Sequence, residues 1–364
     1  PHWGAKTEQK ILRGLAFLAG AGSRRLLGVV LPLAREIEGR LRAIAGVEQV
    51  AVAGSVRRRK ETIGDLDFLV TARDPGRVAR TFASMPDVSN VYARGTKKTL
   101  VRLADGMDAD LRVVPAESFG AALLYFTGSK AHNVALRRIA QLEGLKLIEY
   151  GLFRGTRRLA GRSEQDVYQA LGLPYVPPEL REDSGEIEAA RAGRLPRLIE
   201  YGALRGDLQI QTEWTDGAAS IEAMALAAKA IGLEYIAITD HTRDLAMAHG
   251  SDEARLLEQA GTIRKLNRTL RGFRVFSGAE VNIREDGSLD VADEALAQLD
   301  VVGAAIHTKF RQSRTQMTRR VLRAMENPHV DILFHPTARL IGRREPVALD
   351  VDAVIAVAKR TGTV

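Results

Sequence analysis

The sequence predicts a multidomain chain of α/β and α+β type, with a first part built on a mixed sheet with helical flanks and a second part forming an incomplete, distorted β/α barrel. Two observations carry that prediction. Gly54 to Asp67, GSVRRRKETIGDLD, reads as the end of a strand, a basic helix and a second strand that brings in two carboxylates. Beyond Arg205, apolar strands and amphipathic helices alternate at the spacing of repeated βα units.

Composition bounds the rest. The 364 residues suffice for two or three domains, each with its own core. Apolar residues make up 45% and charged residues 27%, as in globular proteins. There is no cysteine, which excludes disulfides and thiolate metal sites. No apolar run reaches membrane-spanning length and the N-terminus lacks a signal-peptide layout, so a cytoplasmic protein without a membrane partner is expected. The net charge of +8 is uneven: residues 1–200 hold 32 Lys and Arg against 23 Asp and Glu, whereas residues 201–364 hold 21 against 22. A basic part joined to a near-neutral one suits a nucleic-acid-binding module with a separate appendage, solubility being the blander reading.

In chain order, Pro1 to Thr7 precedes a helix with Ile11, Leu12, Leu15 and Leu18 at helical spacing. A turn through Gly4, Lys6 and Thr7 can offer its amides to a DNA phosphate. A second helix, Pro32 to Ala43, carries Leu33, Ile37 and Leu41 and stops at Gly46; the strand Val47 to Ala53 then leads to Gly54. Gly54, Ser55 and the cations from Arg57 to Lys60 put amides, a hydroxyl and positive charge at a helix N-terminus, where phosphate binds well. Asp65 and Asp67 lie two apart, so on a strand both project from one face, and paired carboxylates suit divalent metal. A helix over Pro75 to Ser84 and strands over Val88 to Arg94, Thr99 to Leu103 and Met107 to Val113 follow. The last strand carries Asp108, Asp110 and Arg112; beside the Asp65/Asp67 strand, Asp110 completes a three-carboxylate site able to hold two divalent ions.

Leu124 to Asn133, LYFTGSKAHN, narrows these possibilities. With GSVRRRKETIGDLD and DADLRVVP it resembles DNA polymerase family X in content, order and spacing, over essentially residues 1–180. Glu149 to Phe153 and Gly161 to Leu173, GRSEQDVYQALGL, resemble the bacterial branch of that family. The resemblance implies a nucleotidyltransferase-type palm in which Asp65 and Asp67 hold two Mg²⁺ or Mn²⁺ ions and Asp110 holds the catalytic one, where the primer 3′-hydroxyl loses its proton. It puts Ser55 and Arg58, next to Gly54, on the β and γ phosphates, with Gly64 shaping the turn beside them. Tyr125 and Phe126 match the pair against the sugar, Gly128 the kinked peptide after it, and Asn133 the contact to the base on its minor-groove edge. Lys130 is implied as a DNA or nucleotide contact, as Gly4, Lys6 and Thr7 are for DNA. Gapped or primer-template DNA and deoxynucleoside triphosphates are the implied partners of a monomer.

On the residues alone, blander roles stand beside these. Arg57, Arg59 and Lys60 read as a solvated face, Tyr125 and Phe126 as core aromatics, His132 as an exposed helix residue and Arg112 as a guanidinium that orients a nearby acid. The resemblance begins after the lyase domain and first hairpin motif that many members carry, so no lyase activity is expected. The expected partition is a hairpin-helix remnant at 1–28, palm at 29–118, thumb or fingers sensing nucleotide and base pair at 119–180, linker with one short helix at 181–204 and a final domain at 205–364.

In that final domain Asp216, Asp240, His241, Glu280, His307 and His335 fall at strand ends. The layout resembles the polymerase and histidinol phosphatase (PHP) domain that follows bacterial family X polymerases. The resemblance implies a Zn²⁺ or Mn²⁺ cluster for phosphoester hydrolysis, with Asp216, His241, Glu280, His307 and His335 as candidate ligands. Two departures weaken it. Gln209 and Gln211 stand where the family has a His-x-His pair, and a carboxamide oxygen is a poorer ligand than imidazole. The sequence also stops at Val364, before the family's last acidic and histidine ligands, so a truncated, degenerate domain is expected. The expected function is metal-dependent DNA-directed DNA synthesis in short-gap repair, in a bacterial cytoplasm at the nucleoid. A 3′ to 5′ exonuclease or phosphoesterase in the last domain and a non-catalytic DNA-binding scaffold are the alternatives.

Overall fold

The computed structural model describes residues 24–364. Gly4, Lys6, Thr7 and nearly all of the expected 1–28 segment lie outside the described residues. The chain divides into two compact units, Pro1–Arg197 and Leu198–Val364.

The first unit opens with β1 (Arg25–Leu26) and α1 (Leu27–Arg42). The helix starts five residues before the expected Pro32, because Val30, Ala34, Ile37 and Leu41 form one buried row that runs past the proline. Pro32 is exposed, so the carbonyl that its missing N–H leaves unbonded can reach water. Next come β2 (Val47–Val52), α2 (Gly54–Arg57), β3 (Thr62–Ile63) and β4 (Asp65–Ala72). The expected basic helix is therefore one turn only. It ends because Arg59 takes a left-handed φ of 58°, which turns the chain into β3, paired antiparallel with β1.

After α3 (Pro75–Ala83) come β5 (Val88–Arg94), β6 (Lys98–Leu103) and β7 (Asp108–Val113). The main sheet has the order β2-β4-β7-β6-β5, in which β4 and β7 run parallel and the other pairs antiparallel. Strand alternation sorts its two faces. Leu66, Phe68 and Val70 of β4 and Ala109, Leu111 and Val113 of β7 enter the core with Ile37, Leu41 and Phe82. The residues between them, including Asp65, Asp67, Asp108 and Asp110, face the other way.

On that other side lie α4 (Phe119–Thr127), α5 (Lys130–Leu142), a three-stranded sheet of β8 (Lys146–Ile148), β9 (Gly151–Arg154) and β10 (Arg157–Ala160), α6 (Glu164–Ala170) and α7 (Glu186–Arg191). Leu124, Leu136, Leu152 and Val167 form their core, together with Val176, Ile187 and Ala190. The stretch expected as a linker from residue 181 thus belongs to the first unit as far as Arg197. Ile187 and Ala190, at helical spacing, give α7 an apolar face to bury. His132 corrects the sequence reading too: it is fully buried, with Nδ1 2.5 Å from Glu186 Oε1 and Nε2 2.8 Å from the Tyr168 hydroxyl.

The second unit alternates β11 (Gly206–Ile210), α8 (Ile221–Ala230), β12 (Tyr235–Ile238), α9 (Glu253–Asn267), β13 (Arg274–Asn282), α10 (Asp293–Leu296), β14 (Val301–Ala305), α11 (Arg314–Met325), β15 (Ile332–Leu333) and α12 (Val351–Thr361). All five strands are parallel and in chain order, the arrangement of a part-barrel. Ile236, Ile238 and Val275 pack against α8 and α9, and Val281, Val302 and Ala304 against α11. Among the described residues no helix is long and apolar enough to cross a membrane.

Candidate active site

The parallel pairing of β4 with β7 sets Asp65 opposite Asp108 and Asp67 opposite Asp110. The turn of α2 presses on these carboxylates through Gly54, whose φ is 58°; a Cβ there would lie 2.0 Å from Asp67 Oδ2. Burial, then the charges of Asp65 and Asp110, push the Asp67 carboxyl up to about 7, with Arg112 and Arg58 offsetting part of the rise. Burial also raises Asp65, against Arg24 and with Asp108 and Asp110. Asp110 Oδ2 lies 3.2 Å from Lys98 Nζ and 3.3 Å from Arg112 Nη2, and its buried Oδ1 lies 3.2 Å from Arg112 Nε. Asp108 is neutralised separately by Arg102, whose Nε and Nη2 reach it at 2.9 and 3.1 Å. Three crowded carboxylates, one of them pushed far up, are a set that a divalent cation satisfies.

A cleft of about 410 Å³ joins this cluster to the corner between α4 and α5. Gly54, Ser55, Arg58, Asp65 and Asp67 line one side, and Tyr125, Phe126, Gly128, Lys130 and Asn133 the other. The Ser55 hydroxyl is buried and unpartnered. Tyr125 and Phe126 meet edge to face at 5.1 Å, and the Arg112 guanidinium lies 4.9 Å over the Phe126 ring. Arg58 donates from Nε to Glu182 Oε1 at 2.8 Å and from Nη1 to the Thr127 carbonyl. Gly128 has a φ of 70° and a cis peptide to Ser129, and a Cβ on it would lie 3.1 Å from Arg58 Nη1. Asn133 donates to the Tyr125 carbonyl at 2.7 Å. Two expected residues lie outside the cleft lining: Asp110, which stands beside Asp67, and Gly64, in the turn between β3 and β4.

Arg57 is no solvated side chain. It grips Glu164 at 2.8 and 2.7 Å and the Thr127 hydroxyl at 2.7 Å, while Arg181 Nη1 meets the same carboxylate at 2.6 Å. Burial opposes the charge on Glu164, but the Arg57 hydrogen bonds and the Arg181 charge outweigh it and hold the carboxyl at about 2.

In the second unit, ligand atoms of His241, Glu280 and His307 lie within 4.8 Å of one another. His335 Nε2 reaches Glu280 Oε1 at 2.7 Å. Asp216 is half exposed and its Oδ1 is 3.7 Å from His241 Nε2, so the structure leaves it at the rim rather than in the cluster. Asp240 is fully buried and serves the scaffold: it accepts from the Thr212 amide and hydroxyl at 2.7 and 2.6 Å and from Gln259 at 2.6 Å.

Residues 122–182 match the family model described as DNA polymerase beta thumb. Over 365 aligned residues, 99% of this chain, the sequence is 39% identical to the DNA polymerase/3′-5′ exonuclease PolX of Bacillus subtilis. The chain belongs to DNA polymerase family X. This family X chain spans 64% of the length of the Bacillus protein. It is also 32% identical over 159 residues to DNA polymerase lambda of Rattus norvegicus, covering 35% of this chain and 28% of that protein. A probable phosphatase of Acetivibrio thermocellus is 32% identical over 146 residues, 39% of this chain and 56% of that protein.

Three cleft residues of the family X chain escaped the sequence reading, among them Thr127 inside the LYFTGSKAHN motif. Arg137 follows Asn133 by one helical turn, so i,i+4 spacing on α5 could have flagged it. Arg24 reaches the cleft from just before β1, bonding the Thr62 hydroxyl at 2.8 Å, a long-range contact with no local signal.

Proposed function

We propose that this chain is a metal-dependent, DNA-directed DNA polymerase that extends a primer 3′-hydroxyl across short gaps during repair. One observation carries the proposal: Asp67 and Asp110 in register, in reach of a cleft lined by Ser55 and Arg58. In this reading Asp65, Asp67 and Asp110 hold two divalent ions, Mg²⁺ or Mn²⁺, which supply neutralising charge to the triphosphate and the carboxylates. Ser55 and Arg58 hold the β and γ phosphates, and the orphaned Ser55 hydroxyl supplies a donor. Tyr125 and Phe126 bound the sugar and Asn133 the minor-groove edge of the base, with Gly128 letting the chain turn between them. The primer oxygen bonds to the α phosphorus as the bond to the β-phosphate oxygen breaks and pyrophosphate leaves. Asp110 takes the hydroxyl proton.

Under this proposal residues 29–118 are the palm and 119–180 the thumb. Gapped or primer-template DNA meets Lys130, Gly4, Lys6 and Thr7, and the chain works as a monomer in the cytoplasm. The names of the Bacillus polymerase and of polymerase lambda support it. A second reading, 3′ to 5′ hydrolysis in the second unit, is supported by the exonuclease in the Bacillus name and by the Acetivibrio phosphatase, but the donors around Glu280 speak against it. One-nucleotide gap filling with Mg²⁺ and Mn²⁺ tests the first reading. Asp67→Asn or Asp110→Asn should lower incorporation by at least about 10³-fold. Incorporation at the unmutated rate by both variants would remove the cluster from the mechanism.

A further inference from the structure

Glu280 is 1% exposed, and each of its oxygens meets two nitrogen groups. Oε1 faces His307 Nε2 at 3.0 Å and His335 Nε2 at 2.7 Å, while Oε2 accepts from Gln209 Nε2 at 2.9 Å and Gln211 Nε2 at 3.0 Å. His307 Nδ1 also lies 2.6 Å from Asn282 Oδ1, so the ring donates to both oxygens only as an imidazolium; in that form the four nitrogen groups fill the roughly four acceptor directions of the ionised carboxylate. Gln211 also reports which end of its amide faces inward. Its Nε2 lies 3.3 Å from the Thr239 carbonyl, so turning the amide over would set its oxygen against two acceptors at once. A divalent cation needs lone pairs converging on it. Here the two carboxamides send N–H groups toward Glu280 instead.

The four nitrogen groups also have a common structural effect. Gln209 lies on β11 and Gln211 just beyond it, Glu280 lies on β13, and His307 and His335 follow β14 and β15. One carboxylate therefore fastens the ends of four of the five strands. Burial opposes its charge, but hydrogen bonds from His307, His335 and Gln209 outweigh it and hold the carboxyl well below its usual range.

We propose that the carboxamides of Gln209 and Gln211 stand in for a divalent cation, so that Glu280, His307 and His335 form a metal-free hydrogen-bonded staple across the strand ends. The cluster then serves the fold and takes no part in phosphoester hydrolysis.

Metal analysis after dialysis against Zn²⁺ or Mn²⁺ tests this. The full chain carries Asp65→Asn, Asp67→Asn and Asp110→Asn, so that metal held by the polymerase carboxylates does not contribute. The chain with both glutamines should retain less than about 0.1 equivalent, and its melting temperature should be the same in EDTA. Adding Gln209→His and Gln211→His restores two imidazole lone pairs and should raise retention to about one equivalent, with Zn²⁺ raising the melting temperature. One tightly held equivalent in the chain with both glutamines, lost with His307→Ala, would overturn the proposal. So would a folded double-histidine variant that binds no more metal than its parent. Glu280→Gln gives a second readout: a hydrogen-bonded staple loses the same melting temperature with and without EDTA, whereas an EDTA-sensitive loss would mean that metal holds the site.

Discussion

Asp67 and Asp110 face one another across the parallel pair of a sheet whose other pairings are antiparallel, although more than forty residues separate them in sequence. The juxtaposition raises the Asp67 carboxyl to about 7, after burial itself. A raised folded value means that stability from the protonated form is full below the ordinary value of 3.8 and is lost as pH rises through about 7. In EDTA, the unfolding free energy of the chain in urea should therefore fall between pH 4.5 and 7, by on the order of 1 kcal/mol per pH unit. Asp67→Asn should flatten that slope and Mg²⁺ should reduce it, both read from melts at four pH values.

Gly54 is the position where a methyl group has no room. Its left-handed φ and the 2.0 Å approach of a Cβ to Asp67 Oδ2 mean that Gly54→Ala must move the carboxylate or the α2 turn. Nucleotide incorporation should drop by about 10²-fold or more while the affinity for gapped DNA, measured by fluorescence anisotropy, stays within about threefold.

Arg58 is tied to Glu182 and to the Thr127 carbonyl in the structure. If it binds triphosphate, that grip must loosen. Glu182→Gln should lower KM for deoxynucleotide severalfold, whereas Arg58→Ala should raise KM by about 10-fold to 100-fold with less effect on kcat. Steady-state gap filling separates the two parameters.

Glu164 balances two guanidiniums at a buried position. Glu164→Gln leaves Arg57 and Arg181 without their counter-charge and should cost about 3 kcal/mol in urea melts at pH 7. A depressed carboxyl stabilises above its ordinary value of 4.5 and loses that contribution as pH falls toward about 2. The variant should therefore show a weaker acid dependence below pH 4.5 than the parent chain.

Much of the architecture was legible in the residues. The strands and helices of the second unit alternate as their apolar spacing predicts. The facing of Asp65 with Asp67 follows from the two-residue repeat of a strand, and the cleft collects Ser55, Arg58, Tyr125, Phe126, Gly128, Lys130 and Asn133 as their motifs implied. Other readings failed where long-range packing decides. His132 looks like an exposed helix residue until α7 brings Glu186 over it, and Arg57 looks solvated until Glu164 arrives from α6.

The sequence by itself determined the alternation of strand faces, the order of the nucleotide motifs and the presence of carboxamides at Gln209 and Gln211. These follow from local backbone geometry and from the donor chemistry of single side chains. Only the tertiary structure decided that Asp110 stands beside Asp67, that Asp108 is spent on Arg102, and that both glutamines turn their N–H groups onto Glu280. Those outcomes depend on which charges are buried together, and burial is set by how distant segments pack.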